Sequence, residues 1–280
     1  MARAFIPHVV TEDSALGGSF LERSLRFNDA DSAYLTRTPS SAGDRRTWTW
    51  SGWVKRANAE TNMNLFSVRE SASVRTIIRL TDGLDFLDDD INFRLKTNQV
   101  FRDSTAWYHF VIVSNTTDST SSNRLKVYVN GEQITSFSTS TYPSQNYEGQ
   151  INNTYAHALG REGAQNNDYL EGYMAEVNFV DGQAYDPSYF GYTEFQTGIW
   201  KPKRYTGTYG TNGFYLNFSD NSGTSATTMG RDSSGNGNNF TPNNLAVSDS
   251  MIDTPTNNFP MMFSDISSPS LPATITEAGL

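Results

Sequence analysis

The sequence predicts an all-β fold, an antiparallel sandwich of two sheets, on three observations. Apolar and polar residues alternate with a period of two along almost every patterned segment, as in strands with one buried face. Aromatic residues make up 13% of the 280-residue chain, although all hydrophobic residues together reach only 36%. Ser, Thr, Asn and Gly supply much of the remainder, which is typical of a sandwich with many polar turns. A disordered chain would be poor in aromatic residues, so we expect a folded core.

The first half of the chain carries the clearest strand patterns. In residues 47–55, Trp48, Trp50 and Val54 fall on one face of a strand. Both faces of residues 107–113 are apolar, as in a central strand that is covered on both sides. The same reasoning predicts strands at residues 24–27, 34–36, 64–68, 74–80 and 91–95.

A β-hairpin is predicted where the alternating residues 125–129 run into Asn130 and Gly131. An Asn-Gly pair accepts positive φ at both central positions, so we expect a tight type I′ turn. Further strands are predicted at residues 157–160, 173–180 and 213–218.

Helical patterns are nearly missing from the sequence. The one short turn that we predict covers residues 186–191. Asp186 suits the N-cap, Pro187 suits the first helical position, and Gly191 ends the turn.

The chain divides into three predicted segments. Residues 1–20 form an N-terminal arm, residues 21–243 form the sandwich, and residues 244–280, rich in Pro, Ser, Thr and Asn, form an extended C-terminal arm. Neither arm has the composition to fold alone. Extended arms of this kind dock on a neighbour or stay mobile, so we expect them to bind other proteins of an assembly.

Charge and cysteine content exclude several classes of partner. The net charge is −9, and basic residues cluster only in the short run 201–204. A nucleic acid or an anionic membrane surface would require a basic face, so we expect neither as a partner. The chain has no cysteine and no apolar segment resembling a signal peptide or a membrane span. We therefore expect it to fold in a reducing cytoplasm and not to insert into a membrane.

The order of several motifs resembles that of a known family. In chain order these are SLRFNDADSAYLTR, WTWSGWVKR, WYHFVIV, RLKVYVNGEQI and YLEGYMAEVNFVDGQAYDPSYFG. Together they resemble the laminin-G-like, concanavalin A-like lectin/glucanase jelly-roll domain. The best matches are residues 107–109, 128–131 and 172–177. The resemblance implies that the sandwich is a jelly roll.

A more particular resemblance covers residues 171–258. The runs AEVNFVDGQAYDP, GTNGFYLNFSDNSG, DSSGNGNNFTPNN and DTPTNNF are similar to those of lectin-like structural proteins of tailed bacteriophages. The strand at 214–218 and the loop at 232–238 come near the end of the chain, whereas the family usually has such elements near its start. They either complete the same sandwich in permuted order or open a second domain. We favour the first, because few residues follow position 238.

Two glutamates raise the question of catalysis. Jelly-roll glucanases place carboxylates at Glu-x-Asp-x-x-Glu spacing on one strand face, and this spacing is missing here. Glu171 and Glu176 are five residues apart, which puts them on opposite faces of a regular strand unless Gly172 holds a bulge. We therefore expect a scaffold without catalytic residues. His109 lacks the sequence context of a catalytic histidine, and we expect it to be a hydrogen-bonded structural residue.

Calcium is a cofactor that the resemblance allows, because related domains hold it at one rim. Acidic and Asn-rich segments at 28–31, 85–90, 166–168 and 232–238 offer oxygen ligands. The alternative is that tight turns simply require Asn, Asp and Gly. The candidate metal ligands are Asp29, Asp31, Asp168 and Asp232.

Glycan binding is the second function that the sequence allows. Sugars stack on exposed aromatic rings, and several aromatic residues lie in segments without a strand pattern. The alternative is packing in a core or an interface, which uses aromatic residues equally often. The candidate glycan-binding residues are Tyr169, Trp200 and Tyr205.

The predicted function is that of a non-catalytic bacteriophage protein on the virion surface, made in the cytoplasm of the bacterial host. It would be a capsid decoration, a head fibre or a tail fibre component, and it could bind host-surface glycans. We expect a homo-oligomer whose arms bind other virion proteins. The alternatives are a virion-associated glycoside hydrolase that degrades polysaccharides, and a capsid cement protein without a ligand.

Overall fold

The computed structural model describes residues 18–58, 62–71, 73–89, 92–163 and 167–258. In this part of the chain two large antiparallel sheets pack face to face, and helix is confined to three-residue 3-10 turns, so the predicted all-β sandwich is confirmed. No helix among these residues has the length and apolar character to cross a membrane.

The described chain forms eighteen strands, and the longest connection between them, residues 217–240, joins β16 to β17. In chain order they are β1 (Ser24–Phe27), β2 (Tyr34–Arg37), β3 (Thr47–Arg56), β4 (Met63–Ser71), β5 (Val74–Leu80), β6 (Gly83–Asp88), β7 (Phe93–Val100), β8 (Tyr108–Asn115), β9 (Leu125–Val129), β10 (Glu132–Ile134), β11 (Phe137–Thr141), β12 (His157–Leu159), β13 (Gly172–Asp181), β14 (Gly191–Thr193), β15 (Trp200–Pro202), β16 (Phe214–Leu216), β17 (Thr241–Asn243) and β18 (Ser250–Met251).

Sheet topology separates the strands into two layers. The first sheet has the order β10-β9-β8-β3-β13-β1-β18, and β16 pairs with the C-terminal half of β13. The second sheet has the order β11-β7-β6-β5-β4-β12-β2-β17. Strands β14 and β15 form a separate hairpin. Because β16 and β17 each join one of the large sheets, residues 211–243 complete the same sandwich, the alternative that we favoured.

Aromatic side chains fill the space between the sheets. The rings of Trp50 on β3 and Phe66 on β4 stack with an interplanar angle of 12°, although the two strands belong to different sheets. Phe179 and Phe214 pack against the same centre. Each such side chain contributes about 1.5–3 kcal/mol by leaving water.

Two local predictions are confirmed in detail. Asn130 and Gly131 both have positive φ, 49° and 87°, as a type I′ turn between β9 and β10 requires. The predicted helical turn is a 3-10 helix at Pro187–Tyr189, where the Asp186 side chain accepts a hydrogen bond from the Ser188 backbone N–H.

The acidic segment at 85–90 differs from the expected loop. Strand β6 continues through Asp85 to Asp88, and Asp90 lies outside the described residues. The strand tolerates the buried Asp85 because arginines on the two neighbouring strands neutralise its charge. Strand β7 likewise begins later than predicted, at Phe93, and runs on to Val100.

The start of the predicted C-terminal arm packs against the sandwich. Strand β18 pairs with β1, and the Asp253 carboxylate accepts hydrogen bonds from Lys55 Nζ at 2.7 Å and from Trp107 Nε1 at 3.0 Å. Lys55 and Asp253 are both almost fully buried. Residues 244–258 therefore belong to the folded unit, which extends past the predicted boundary at residue 243. The rest of this arm and nearly all of the N-terminal arm lie outside the described residues.

Candidate functional site

The outer face of the first sheet is covered by the protein's own chain. Tyr205 and Tyr209, which follow β15, pack with Phe190 on Val111 and Val180 of the sheet. The described C-terminal segment covers the remaining part, around Trp107. This face is closed to a large ligand.

The outer face of the second sheet carries many charged and polar side chains around the buried Ile77 and Leu87. Strand alternation directs Phe66, Ile78 and Phe86 into the core and the intervening side chains outwards. We call this surface the polar face. It consists of Tyr34, Asn64, Arg69, Arg75, Arg79, Asp85, Arg94 and Lys96 together with the described residues of the loop 160–170.

Asp85 is the charged centre of the strand part of this face. Its carboxylate is fully buried and pairs with Arg79 Nη2 at 2.9 Å and Arg94 Nη2 at 2.8 Å. A buried carboxylate requires such compensation, because loss of its partners would leave an unpaired charge away from water. The two guanidiniums are consequently held in fixed positions on β5 and β7.

The described part of the loop 160–170 contacts the same face and repeats this arrangement. Its Glu162 carboxylate is buried and pairs with Arg69 and with Arg75, the latter at 2.7 Å. Ser67 Oγ donates to the Arg161 carbonyl at 2.7 Å and accepts from the Gly163 N–H at 2.7 Å. These contacts fix the first part of the loop on β4.

The returning end of the loop meets Asn64. The Asn64 backbone N–H and side-chain Nδ2 both donate to the Asp168 carbonyl, at 3.2 and 2.8 Å. Asn64 is fully buried, and its Oδ1 has no hydrogen-bond partner among the described residues. A buried acceptor of this kind costs about 1–3 kcal/mol and calls for an explanation, such as a ligand that donates to it.

The Asp168 carboxyl group has several charged neighbours. Burial and the nearby Glu162 carboxylate raise the pKa of Asp168, and the charges of Arg79 and Arg75 act in the opposite direction. Its backbone has positive φ, 53°, where the loop turns back to the sheet. The polar face thus combines acceptor oxygens with guanidiniums.

An aromatic corner borders these groups. The rings of Tyr34 and Tyr169 are 6.3 Å apart, and the Arg161 guanidinium lies 3.6 Å from the centre of the Tyr34 ring. Tyr34 is half-buried, whereas Tyr169 is 9% exposed. A ligand on the polar face would therefore meet Tyr34 more than Tyr169.

Three of the residues predicted from sequence come together here. Asp168 and Tyr169 are adjacent in the loop, and Asp29 is among the charges that raise the pKa of Asp168. The Asp29 backbone N–H donates to Glu171 Oε2 at 2.8 Å. Asp31 is exposed in the same turn, where its carboxylate accepts from the Asn28 side chain.

The other two predicted glycan-binding residues lie on the covered face of the first sheet. Trp200 Nε1 donates to His109 Nδ1 at 2.9 Å, and its ring packs against the backbone at Gly131 and Gly191. Tyr205 is 5% exposed, and its hydroxyl donates to the Thr208 carbonyl at 2.9 Å. Both side chains are thus engaged in packing within the protein, which was the alternative to glycan binding.

Asp232 is not free to bind a metal ion in this conformation. It is 6% exposed, and its carboxylate accepts from the backbone N–H groups of Tyr215, Ser234 and Asn238 and from Ser234 Oγ, at 2.8–2.9 Å. The side chain therefore organises its own loop. Among the described residues, no three His, Cys, Asp or Glu side chains form a cluster that could hold a metal ion.

Calcium does not fit the polar face well. It requires six to eight oxygen ligands, and this face offers Asn64 Oδ1 and the Asp168 carboxylate within electrostatic range of Arg79 and Arg75. Nearby cations weaken the attraction for a metal ion, so we assign no step to calcium here.

Strand β13 contains a bulge at Glu176, whereas the sequence suggested Gly172 as the position that could hold one. The pairing of β13 with β3 shifts between Ala175 and Asn178, and Glu176 has positive φ, 50°. Its carboxylate accepts from the Tyr215 hydroxyl at 2.6 Å, and burial raises its pKa to about 7 against the effects of Tyr215 and Arg204. Glu176 is thus enclosed, whereas Glu171 bonds to the turn at Asp29, so the two have different surroundings.

His109 is the hydrogen-bonded structural residue that we predicted. Its Nε2 bonds to Ser51 Oγ at 2.8 Å, its Nδ1 accepts from Trp200, and its ring stacks on Trp53. Burial lowers the pKa of the imidazole to about 3, so it stays neutral.

The sequence analysis missed the strand residues of the polar face, including Asn64, Arg79 and Arg94. One signal was present: these polar residues occupy alternate positions on strands whose other positions are apolar. The pattern indicates an outward face but not that four arginines converge on two buried carboxylates.

Comparison with protein families finds one match. A model of the laminin G type from the concanavalin A-like lectin/glucanases superfamily matches residues 28–186, more than half of the chain. The match covers the strands and the loop that build the polar face. No curated protein matches the sequence.

Solved structures of similar topology share little sequence with the chain. A heptameric SAP-like pentraxin from Limulus polyphemus is 17% identical over 60% of this chain and 79% of its own, with a TM-score of 0.45. Domain 4 of an extracellular arabinanase from Geobacillus stearothermophilus, in complex with arabinotriose, is 19% identical over 53% and 65%, with a TM-score of 0.39. Mouse laminin alpha1 domains LG4-5 are 13% identical over 60% and 44%, with a TM-score of 0.42.

Proposed function

Because the chain belongs to the concanavalin A-like lectin/glucanase superfamily, we propose that it is a non-catalytic, lectin-like protein that binds a saccharide on its polar face. One observation carries the proposal. Asn64 Oδ1 is a buried acceptor without a partner among the described residues, and the Nδ2 of the same amide donates to the Asp168 backbone carbonyl. A sugar hydroxyl is the kind of donor that would satisfy it.

The surrounding groups suit a sugar in other ways. Saccharides present C–H groups to aromatic rings and hydroxyls to amide and carboxylate oxygens, and binding sites combine an apolar wall with a few polar groups. Tyr34, half-buried beside Tyr169 and below Arg161, provides the aromatic wall. Asn64 Oδ1 provides an acceptor oxygen. The described residues of the loop 160–170 are tied to β4 by the contacts of Glu162, Ser67 and Asn64.

The same face argues against hydrolysis. A glycosidase requires two carboxyl groups that flank the scissile bond, one of them an acid that can give up a proton. Asp85 and Glu162 are each paired with two arginines, which occupy their carboxylate oxygens. Among the described residues of this face, Asp168 therefore has no second carboxyl group, free of arginine partners, with which to form a catalytic pair. Binding without cleavage is the function that these groups support.

A glycan array tests this proposal. The purified protein is applied to neutral and acidic saccharides, and the strongest ligand is titrated by calorimetry. We expect Asn64→Ala to weaken binding at least tenfold, because the acceptor is lost. Asn257→Ala is the matched control, since Asn257 is exposed and its side chain donates to the Ile252 carbonyl in the segment after β18, which packs on the other sheet. Failure of every saccharide to bind, or equal binding by the Asn64 variant, contradicts the proposal.

We propose in addition that the protein is displayed on the surface of a bacteriophage virion, as a capsid decoration, a head fibre or a tail fibre component. The motifs at 171–258 support this, as do the acidic charge and the lack of cysteine in a chain made in a bacterial cytoplasm. Many copies, assembled as homo-oligomers and anchored by their arms, would give avidity to weak single sites.

Imaging of virions tests the location. Negative-stain images of purified particles are recorded with an antibody raised against residues 30–240. Label over the head supports a decoration or head fibre, and label at the tail supports a tail fibre component. Intact particles without label would contradict the virion proposal and leave the saccharide proposal untouched.

Calcium remains a proposal that rests on the family resemblance and concerns Asp29, Asp31 and Asp168 (Asp232 is bonded within its own loop). A titration with calcium, followed by the melting temperature, tests it. We expect saccharide binding on the polar face to persist in a chelator, since the groups that carry it are Asn64 and its neighbours. Complete loss of binding in the chelator would show that a metal ion is part of the site.

A further inference from the structure

We infer that the protein forms an amide bond within its own chain, between the side chains of Lys55 and Asn258, and releases ammonia. The Asp253 carboxylate moves the protons in this reaction. The inference is independent of saccharide binding and concerns the covered face of the first sheet.

The reacting groups are in contact under the segment that follows β18. Lys55 Nζ donates to Asn258 Oδ1 at 2.8 Å and to Asp253 Oδ2 at 2.7 Å. Because a C=O bond is about 1.2 Å long, Nζ lies within about 4.0 Å of the amide carbon of Asn258. A small movement brings these two atoms to the separation of about 3–3.5 Å from which a bond can form.

A tight turn brings the carboxylate and the amide to the same lysine. Thr254 and Asn257 form an antiparallel bridge, with backbone hydrogen bonds of 2.9 and 3.2 Å between them. The flanking residues Asp253 and Asn258 therefore lie side by side. Asn258 Nδ2 donates to the Thr105 carbonyl at 2.8 Å, which directs the amide oxygen towards the ammonium group. Both flanking residues belong to the run DTPTNNF, to which saccharide binding gives no role.

The surroundings of these groups exclude water and favour the loss of charge. The Lys55 side chain is fully buried, and that of Asp253 is 2% exposed. Lys55 lies opposite Tyr173 on β13, and Trp107 Nε1 donates to Asp253 Oδ1 at 3.0 Å. Trp107 and Tyr173 belong to one apolar cluster. A buried ammonium group is unfavourable in such a place, and its conversion to an amide removes the positive charge.

The reaction balances without an oxidant, a reductant or a further reactant. The Asp253 carboxylate takes one proton from the Lys55 ammonium group, and the lone pair of the neutral amine attacks the Asn258 amide carbon. The old C–N bond then breaks, and its electron pair stays on the leaving nitrogen. Two protons that began on Nζ pass through Asp253 to this nitrogen, which departs as ammonium. One hydrogen stays on Nζ, and Asp253 is ionised again.

The bond would strengthen the attachment of the C-terminal part of the chain. Strand β18 consists of only two residues and pairs with β1 at the edge of the first sheet. Lys55 lies on β3, between β8 and β13 in the interior of that sheet. A force on the chain after residue 258 would therefore act on a covalent bond to the interior of the sheet and not on a few hydrogen bonds at its edge.

Mass spectrometry of the denatured full chain tests the inference. We expect a mass about 17 Da below that of the sequence, which is the mass of one ammonia molecule. Trypsin should release residues 47–56 joined to residues 232–280, because the bond blocks cleavage after Lys55 and no Lys or Arg follows Arg231. Fragmentation should place the link at Lys55 and Asn258. An unchanged mass in the folded protein overturns the inference.

Matched variants assign the bond to these residues. Lys55→Arg keeps a cation but has no amine, and Asn258→Ala has no side-chain amide, so neither should lose ammonia. Asp253→Asn should also stay unlinked, because the proton acceptor is missing. Asn257→Ala is the control and should lose ammonia in full, since Asn257 is exposed and its side chain donates to the Ile252 carbonyl.

Folding of the variants is checked separately. Asn258 is exposed, so Asn258→Ala should still melt in one cooperative transition. Its melting temperature should be lower than that of Asn257→Ala, because the covalent link no longer restricts the unfolded chain. Equal melting temperatures, with no loss of ammonia in either protein, overturn the inference.

Two other outcomes would also contradict it. A loss of ammonia that persists in Lys55→Arg would come from a cyclic imide elsewhere, for example at Asn236 and Gly237. A loss of water, with a link from Lys55 to Asp253, would make Asp253 the reacting group instead of the proton carrier. Neither outcome bears on the binding of a saccharide to the polar face.

Discussion

Single residues account for the parts of this protein that depart from regular structure. Glu176 is the clearest case. Its backbone has positive φ, which is unfavourable for a residue with a side chain, and its carboxyl group is buried, which is unfavourable for a polar group. Glu176 forms a bulge in β13, and the part of β13 after this bulge pairs with β16. Tyr215 on that strand donates to the carboxylate, which ties the bulge to the segment that covers the sheet.

Glu176 gives the protein a specific pH dependence. Its pKa is raised from 4.5 to about 7, mainly by burial, so between these values the folded chain holds a proton that the unfolded chain has lost. The contribution of this group to stability is complete below pH 4.5 and falls as the pH rises towards 7, by about 1.4 kcal/mol per pH unit at most. We expect Glu176→Gln to remove this fall.

Urea unfolding of both proteins at pH 4.5, 6 and 8 provides the check. The variant should gain stability relative to the natural chain as the pH rises, and the gain should stop changing above about pH 7. A difference that stays constant over the whole range would mean that Glu176 titrates normally in the folded protein.

Asp232 supports a second prediction at this scale. Because its carboxylate accepts three backbone N–H groups and one hydroxyl, Asp232→Ala leaves those donors without a partner and should lower the free energy of unfolding by about 2–4 kcal/mol. Asp220→Ala is the control, since Asp220 bonds to Ser222 at the surface. Calorimetric melting of the two variants would distinguish them, and equal melting temperatures would refute the structural role of Asp232.

Sequence reasoning located part of the candidate site residue by residue. Asp168, Tyr169 and Asp29 were chosen for their chemistry and do lie together. Trp200 and Tyr205 were chosen for the same reason, but they pack on the covered sheet. The periodicity of the sequence could not distinguish exposed from covered aromatic residues, because exposure depends on which distant segment covers a strand. The 3.6 Å contact of Arg161 with Tyr34 is a second example, since it joins residues far apart in the chain.

Among the secondary-structure elements, those with strong local patterns were predictable. Strand β3 and the β9–β10 hairpin follow from alternation and from the Asn-Gly turn. Strand β6 was not predictable in this way, because Asp85 is tolerated only through arginines on β5 and β7. Strand β18 is only Ser250–Met251, and its pairing with β1 has no local signature.

The segment after β18 should be essential in spite of its irregular conformation. Asp253→Asn removes the charge that compensates the fully buried Lys55 ammonium, so we expect a loss of about 3–5 kcal/mol in the free energy of unfolding. Asp249, which pairs with Arg26, offers a second, independent position for the same test. Unfolding in urea measures the loss. A change below about 1 kcal/mol for Asp253→Asn would mean that this segment is not firmly held.

At the scale of the whole molecule, late parts of the chain complete both sheets. β16 and β18 join the first sheet and β17 joins the second, so the folded unit has no boundary at residue 243. We expect a chain that ends at residue 243 to lose cooperative unfolding, because Lys55 and Arg26 would be left as buried charges without Asp253 and Asp249. A chain that ends at residue 258 should unfold in one transition. Similar thermal transitions for the two would contradict this account.

The two outer faces of the sandwich differ in what they offer to a ligand. One is closed by aromatic residues after β13, and the other presents arginines, Asn64 and Tyr34 on an otherwise acidic protein. The central claim is that a saccharide binds the second of these faces. The most direct measurement is a crystal structure of the protein with the best ligand from the array. We predict a sugar hydroxyl within about 3.2 Å of Asn64 Oδ1, as a hydrogen bond requires. A sugar bound elsewhere, for example beside Trp200, would contradict the claim.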